Sequence, residues 1–218
     1  MPQVLSTEVG FSSESRVIRD TYALLSATLL VTAGFTWVSM GLDLSSLAAL
    51  GCLIGGFVML FVISRMRNSA WGLAALFGFA TLEGLGIGPT ITMYMRTPAG
   101  SATVAEASLL TAGVFLSLSA YVHVTKKDFS AWGGMLFTGL IVVVLASLIG
   151  IFVSSSAYHL TIAAISAILF SGFILFDTSR IVRGGETNYI MASLSLYLDI
   201  INLFFSLLQL LSAGNDRR

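Results

Sequence analysis

Long apolar runs separated by short polar loops account for most of the chain. Seven runs approach the roughly 20 residues that a helix needs to cross a bilayer, and the loops between them are too short to hold a soluble domain. The runs are 22–41, 46–64, 71–94, 105–124, 132–153, 158–178 and 190–211. The pattern predicts an all-α integral membrane protein with seven transmembrane helices in one domain (22–212). An exposed N-terminal tail (1–21) and a short C-terminal tail (213–218) flank this domain.

The amino-acid composition agrees with an integral membrane protein and limits the classes of partner that we expect. Of the 218 residues, 56% are hydrophobic and 10% are charged, against about 25% charged in ordinary soluble domains. The formal net charge is zero, and no basic run interleaves with aromatic residues, so we expect the lipid bilayer and no nucleic acid as partner. The N-terminal tail lacks the basic-then-apolar order of a secretory signal, and we expect it to be retained.

Lysine and arginine predict the orientation, because cytoplasmic loops retain positive charge. With seven spans, eight of the eleven basic residues fall on the side of the N-terminus, which is therefore predicted to be cytoplasmic. The C-terminal arginines favour that same side, so a re-entrant seventh segment is the alternative to seven full crossings. The eight are Arg16, Arg19, Arg65, Arg67, Lys126, Lys127, Arg180 and Arg183; the other three are Arg96, Arg217 and Arg218.

A proline interrupts the third span. Inside a helix, Pro89 removes one amide donor and displaces the carbonyl of Leu85, which predicts a kinked or locally open helix. Such a break is tolerated in a membrane where protein or a water-filled cavity satisfies the freed groups. Glu83 lies beside the break and is a candidate for an ion pathway, with packing as the simpler role. Two small-xxx-small pairs are predicted to pack helices closely: Gly51 with Gly55, and Gly84 with Gly88.

Polar residues recur on one face of the last span, at spacings of 4, 3, 4 and 3. They are Ser195, Asp199, Asn202, Ser206 and Gln209. Such a stripe is unfavourable in lipid, so we expect the last helix to be central and surrounded by the other six. Hydrogen bonding between helices is the simplest role of the neutral members, and Ser195, Asn202 and Ser206 are also ion-pathway candidates. An aspartate at mid-membrane costs about 2.5–3.5 kcal/mol, so Asp199 requires a partner or a function.

Asp177, at the end of the sixth span, is the predicted partner of Asp199. If the sixth helix continues through TSRIV, Asp177 lies one to two turns inside, and the two carboxyls can meet across adjacent helices. Two carboxyls in contact cannot both ionise cheaply and tend to share a proton, which predicts a proton sensor. The simpler alternative is that Asp177 is a helix-end acid in contact with water and Arg180.

Two arginines close the second span on the same predicted side. Arg65 or Arg67 could pair with Asp177 in one state and release it in another, as a two-state gate requires. Positive-inside charge explains either arginine alone more simply.

No pattern indicates an enzyme or a bound cofactor. The two lysines lie in a loop, so no mid-membrane Schiff base is available, and His123 and His159 lie near opposite span ends. No Gly-x-Ser-x-Gly, HExxH or phosphate-binding loop occurs. Two aspartates on successive spans are also found in intramembrane aspartyl proteases, but the contexts ILFD and LYLD lack the Gly-x-Gly-Asp motif of that class.

Four motifs in register resemble the Bax inhibitor 1, or transmembrane Bax inhibitor motif, family. They are EGLGIGPTITMY (83–94), SLSAYVHVTKKDFSAWGGMLF (117–137), ILFDTSRIVRGGETNYI (174–190) and SLYLDIINLF (195–204). The similarity extends from about Arg16 to the C-terminus. GGETNYI and the N-terminal RDTYALLSATL are most similar to the bacterial branch, which includes a modulator of the FtsH membrane protease.

The resemblance implies a seven-helix bundle around the last helix and a pH-dependent calcium leak. It also implies an aspartate pair matching Asp177 and Asp199, with an arginine latch at the end of the second helix. Arg65 is the better match for the latch, and Arg67 stays the alternative. Calcium takes about six to eight oxygen ligands, so two carboxylates could form only a weak, transient contact, which suits permeation.

The leading hypothesis is a pH-regulated cation leak channel, with calcium as permeant ion, in a bacterial inner membrane. The alternative is a non-conducting regulator of FtsH that acts through its N-terminal tail. Deleting residues 1–15 should abolish regulation and spare a leak, whereas Asp199→Asn should do the reverse.

Overall fold

The computed structural model describes residues 2–215, with side chains described from Arg16 onward. This part of the chain is helical and contains no strand. The helices are α1 (Pro2–Gly41), α2 (Ser46–Met66), α3 (Ala70–Met95), α4 (Gly100–Thr125), α5 (Gly133–Gly150), α6 (Ser156–Val182) and α7 (Tyr189–Asn215), with a short 3₁₀ helix (Ser130–Trp132) before α5. Each is long and apolar enough to cross a membrane, α1 through its Arg16–Gly41 part. The all-α prediction with seven spans is confirmed.

The helices extend beyond most of the predicted runs, because polar residues at the span ends remain helical. Serine side chains begin two of them: the hydroxyls of Ser45 and Ser155 accept hydrogen bonds from the amides of Ala48 and Tyr158. Helix α1 already includes the predicted tail, and Thr21 is completely buried. The exposed tail therefore ends before residue 21. The side chains of residues 2–15, which form most of that tail, lie outside the described part.

Two compact units make up the chain. The first comprises Met1–Met93 and Gly184–Tyr197, and the second comprises Tyr94–Arg183 and Leu198–Arg218. In the second unit, α6 packs against both α4 and α5, and Leu136, Val143 and Leu169 form an apolar cluster there. Helix α7 contributes to both units and is, with α3, the most buried of the seven. The equal burial of α3 was not predicted.

Side-chain hydrogen bonds hold α7 at both of its ends. At its start, the Asn188 side chain contacts Arg67 and Asn68 in the loop between α2 and α3. At its other end, Asn215 Nδ2 donates to Thr103 Oγ1 in the first turn of α4 at 2.9 Å. Helix α7 is continuous from Tyr189 to Asn215 and is long and apolar enough for a full crossing, in agreement with the preferred prediction of seven spans.

Helix α3 is continuous through Pro89, so the predicted local opening is wrong. The carbonyl of Leu85, which has lost its amide donor, accepts a hydrogen bond from Ser39 Oγ of α1 at 2.7 Å. Thr36 donates to the carbonyl of Gly84 at 3.2 Å, and Thr32 donates to that of Ala80 at 3.1 Å. Hydroxyl groups of α1 therefore satisfy this stretch of backbone.

The predicted glycine pairs differ in their surroundings. Gly84 and Gly88 both pack against α1, where a Cβ at Gly84 would lie 2.5 Å from the carbonyl oxygen of Thr32. A Cβ at Gly55 would lie 3.3 Å from the side chain of Leu82, whereas Gly51 has no neighbour within 4 Å of such an atom. The close approach predicted for Gly84 and Gly88 is confirmed, and the prediction for Gly51 is wrong because that position faces away from other helices.

Candidate functional site

The second unit brings Asp177 of α6 and Asp199 of α7 together. The sixth helix continues to Val182, as the sequence interpretation required. Both residues are buried, with exposed fractions of 9% and 5%, and their carboxyls lie close enough for the charges to interact. Two carboxyls at such close range cannot both ionise cheaply, so they tend to share a proton. Asp199 Oδ2 is buried and has no hydrogen-bond partner among the described residues.

Asp177 also has a cationic neighbour on its own helix. Arg180 Nη1 lies 3.5 Å from Asp177 Oδ1, three residues along α6. The guanidinium is about a third exposed and also lies over the ring of Phe176, 5.5 Å from its centroid. Asp177 is therefore both a helix-end acid beside Arg180 and a partner of Asp199. The two alternatives considered from sequence are compatible.

Ser179 ties the end of α6 to the loop between α4 and α5. Its buried hydroxyl donates to the carbonyl of Lys127 at 3.1 Å and accepts from the amide of Phe129 at 3.2 Å. Arg183 adds a hydrogen bond to the carbonyl of Lys126 and an ion pair with Asp128, both at 3.2 Å. Sequence reasoning missed Ser179, because a serine near a span end has no distinctive spacing.

The loop itself is polar and held by local hydrogen bonds. Asp128 Oδ1 accepts from both the amide and the hydroxyl of Ser130, at 2.8 and 2.6 Å. These hydrogen bonds, followed by the charge of Arg183, hold the pKa of Asp128 below its ordinary value. The Tyr121 side chain raises the pKa of Lys127, whose ammonium lies 5.5 Å from the ring centroid.

The neutral members of the predicted α7 stripe are less uniform than expected. Asn202 is exposed, which contradicts a stripe that is buried throughout; its amide donates to the Leu198 carbonyl one turn back at 2.8 Å. Ser206 is buried, and its hydroxyl likewise donates to the Asn202 carbonyl at 2.7 Å. Bonding within the same helix satisfies these groups locally, so they do not need a partner helix. Ser195 is half-buried.

Arg65 and Glu83 belong to the first unit. Arg65 is exposed in the last turn of α2. Glu83 is half-buried in α3 and lies against α2, where a Cβ at Gly56 would be 3.0 Å from Glu83 Oε1. In the same unit, Tyr197 links α7 to α1, because its hydroxyl lies 2.7 Å from Thr32 Oγ1. Because the Thr32 hydroxyl donates to Ala80, the Tyr197 hydroxyl is the donor of this bond.

The available ligand side chains limit the kind of cation site that this region could form. Within the described residues, no group of three or more His, Cys, Asp or Glu side chains is placed to hold a metal ion. Asp177 and Asp199 supply at most four of the six to eight oxygens that calcium takes. A cation at this pair would need water or backbone oxygens for the remainder.

The chain matches known proteins over nearly its whole length. Residues 14–216 match the family model described as inhibitor of apoptosis-promoting Bax1. An uncharacterized membrane protein of Vibrio cholerae is 47% identical over 203 residues, which cover 93% of this chain and 91% of that protein. The modulator of FtsH protease YccA of Escherichia coli K12 is 40% identical over 199 residues, covering 91% and 90%.

A more distant relative is viral. The Golgi anti-apoptotic protein of vaccinia virus is 34% identical over 209 residues, which cover 92% of this chain and 86% of that protein. The match to the family model and the extent of these identities agree with the motifs found in the sequence. The chain is therefore a multi-pass membrane protein that belongs to the Bax inhibitor family.

Proposed function

We propose that this protein is a pH-regulated cation leak channel, with calcium as the permeant ion and Asp177 and Asp199 as the proton sensor. One observation carries the proposal: two buried carboxyls on different membrane-spanning helices lie close enough for their charges to interact. An amide or a hydroxyl would join two helices without the cost of an ionisable group. A carboxyl pair adds a bond that exists only while a proton is present.

The shared proton determines whether the channel opens at high or at low pH. With one proton, the pair carries a single negative charge and its hydrogen bond holds α6 to α7, which we assign to the closed state. Loss of the proton leaves two negative charges in contact away from water, and their repulsion favours separation. The closed state is therefore stabilised at low pH and loses this stabilisation as the pH rises, so opening follows alkalinisation.

Arg65 is proposed as the latch that offers Asp177 a second partner, with Arg67 as the alternative. Arg180 already neutralises part of the Asp177 charge, so a latch would act by changing which arginine the carboxylate prefers. Arg65→Ala should shift the open fraction and leave most of the pH response intact.

The proposed ion path is hydrated rather than a fixed calcium cage. Glu83, Ser195, Asn202 and Ser206 are its candidate lining residues. The exposed amide of Asn202 supports it, since permeation requires weak sites in series. Asp177 and Asp199 would make a transient contact with calcium.

The test is calcium flux into liposomes that contain the purified protein, at about pH 6 and about pH 8, on either side of neutrality. We expect greater flux at the higher pH and no difference between the two in Asp177→Asn or Asp199→Asn. Equal wild-type flux at both values, or flux no greater than in protein-free liposomes, would overturn the proposal.

A second candidate function is regulation of the FtsH protease through the N-terminal tail. The 40% identity to a protein named for FtsH modulation supports it. Deleting residues 1–15 should then alter degradation of an FtsH substrate and leave calcium flux unchanged. A deletion variant that regulates degradation as the whole chain does would remove the tail from this role.

We also propose that the protein lies in a bacterial inner membrane with a cytoplasmic N-terminus. The relative from Escherichia coli O6:H1 named inner membrane protein YccA supports the membrane, and the distribution of basic residues supports the orientation. A topology reporter fused after Lys127 should behave as cytoplasmic and one fused after Gly100 as external.

A further inference from the structure

The side-chain amide of Asn188 uses all of its hydrogen-bonding capacity. Its Oδ1 accepts from the amides of Ile190 and Met191, at 3.1 and 3.0 Å. Its Nδ2 donates to the carbonyl of Arg67 and to Asn68 Oδ1, both at 2.8 Å. An amide has two donor hydrogens and an acceptor oxygen with two lone pairs, so each one is occupied.

These four bonds serve two different purposes. The two accepted bonds cap the first turn of α7, whose amides otherwise have no partner. Serine, threonine or aspartate would cap as well, because each offers an acceptor oxygen. Only the two donated bonds reach outside α7, and they require the amide. The carboxylate of Glu186 accepts from the Asn188 backbone amide at 2.9 Å and helps to fix the residue.

The donated bonds join two elements that matter for the proposed gate. Arg67 directly follows Met66 as the C-cap residue of α2, and Arg65 lies in the last turn of that helix. Helix α7 begins directly after Asn188 and carries Asp199 eleven residues further along, a rise of about 16 Å at 1.5 Å per residue. Asn188 therefore holds the end of α2 to the helix that carries Asp199.

We propose that Asn188 is a positioning residue for the latch. Its two donated hydrogen bonds to the end of α2, called the clasp below, set the position of Arg65 along α7. This inference rests on the proposed gating function. If the clasp opens, α2 and its arginine can shift along the first turns of α7, which changes the position from which the proposed latch acts. The sequence motif GGETNYI, which contains Asn188, then has a mechanical role.

Substitutions separate the clasp from the cap. Asn188→Ser retains an acceptor for the first turn of α7 and loses both donated bonds, whereas Asn68→Ala removes one donated bond and leaves the cap untouched. We expect Asn188→Ser to change the flux at fixed pH about five- to tenfold, because it removes two hydrogen bonds. Asn68→Ala should change the flux less, because it removes only one. Should Asn188→Ser fail to fold, Asn68→Ala still tests the clasp.

The decisive readout is dependence on Arg65. In an Arg65→Ala background, Asn188→Ser should change the flux less than about twofold, because the clasp then has no latch to position. An equal effect in both backgrounds would overturn the inference, since Asn188 would act without Arg65. Wild-type flux in both Asn188→Ser and Asn68→Ala would overturn it as well.

A distance measurement tests the clasp independently of flux. Spin labels at Ser69→Cys and Thr187→Cys, both exposed positions, are introduced into the chain with Cys52→Ser. The distance distribution should broaden on Asn188→Ser and stay narrow on Asn215→Ser, which removes an amide at the other end of α7. An unchanged distribution overturns the clasp alone. Absence of flux in the wild type would instead overturn the proposed function, and the gating role of Asn188 with it.

Discussion

Polar groups interrupt the apolar spans in two regions, and the hydrogen-bonding groups of these two regions are satisfied differently. Around Pro89 in the first unit, Ser39 supplies the hydrogen bond that Leu85 has lost, at 2.7 Å. In the second unit, two buried carboxyls, Asp177 and Asp199, lie close together, and Asp199 Oδ2 has no hydrogen-bond partner in the described part of the chain. Neutral groups complete the first region, whereas the second contains groups that can ionise.

The chemistry of the side chains explains this difference. A hydroxyl can donate to a carbonyl without carrying charge at any ordinary pH, so the contacts between α1 and α3 do not respond to protons. A carboxylate has acceptors only, so the proposed sensor requires a proton on one of the two carboxyls for a hydrogen bond between Asp177 and Asp199. Completed neutral hydrogen bonds indicate packing, whereas a buried carboxyl with an unused oxygen indicates a group that can change state.

The largest expected effect comes from disturbing the packed region. Gly84→Val would place a side chain where a Cβ already lies 2.5 Å from the Thr32 carbonyl oxygen and 2.9 Å from the Phe35 Cβ. Overpacking of this kind costs about 1–3 kcal/mol, to be measured by unfolding in detergent. Gly51→Val is the matched control, because nothing lies within 4 Å of a Cβ there. Equal destabilisation by both would show that helix propensity, not contact with α1, is responsible.

The second effect concerns the proton-dependent region. Asp199→Asn leaves Asp177 without a carboxyl partner, so at least about a tenfold dependence of flux on pH should disappear, equivalent to about 1.4 kcal/mol of coupling. Flux at several pH values measures it. Asp128→Asn is the control, since Asp128 is exposed and lies outside the pair. If Asp199→Asn kept the wild-type profile, the pair would be packing like the region around Pro89.

A smaller effect tests whether Ser39 replaces the amide that Pro89 lacks. Ser39→Ala should destabilise the protein by about 0.6 kcal/mol, the mean for a hydrogen bond between membrane helices. Pro89→Ala restores an amide donor for the Leu85 carbonyl, so Ser39→Ala should cost less in that background. Unfolding of the four proteins forms a double-mutant cycle. Additive effects would mean that Ser39 and Pro89 are independent.

The spans and the aspartate pair were predictable, because both follow from counting along one chain. Hydropathy gives the number and the approximate positions of the spans, and the number of turns from the loop between α6 and α7 allows Asp177 and Asp199 to meet. The roles of Ser39 and Asn188 were not predictable, since a hydroxyl or amide can pair with any nearby carbonyl. The rotation of α7 was also unknown, so the exposure of Asn202 did not follow from its position in the stripe.

The smallest effect is expected from the exposed carboxylate, Asp128. Hydrogen bonds from Ser130, and then the charge of Arg183, hold its pKa below the ordinary value of 3.8. A lowered folded-state pKa contributes stability above the ordinary pKa, and this contribution is lost as the pH falls through the folded value. Unfolding temperatures between about pH 3 and pH 5 should therefore fall slightly less in Asp128→Asn than in the wild type.

Ser130→Ala removes the hydroxyl that donates to Asp128 and should reduce the same acid sensitivity. Both changes should leave the flux profile near neutral pH unaltered, because Asp128 stays ionised there and water screens its charge. Asp128 has more hydrogen bonds than Asp199, so bonding alone would predict the larger effect for Asp128. If Asp128→Asn flattened the flux profile as Asp199→Asn is expected to do, burial would not be what distinguishes a switching carboxylate from a structural one.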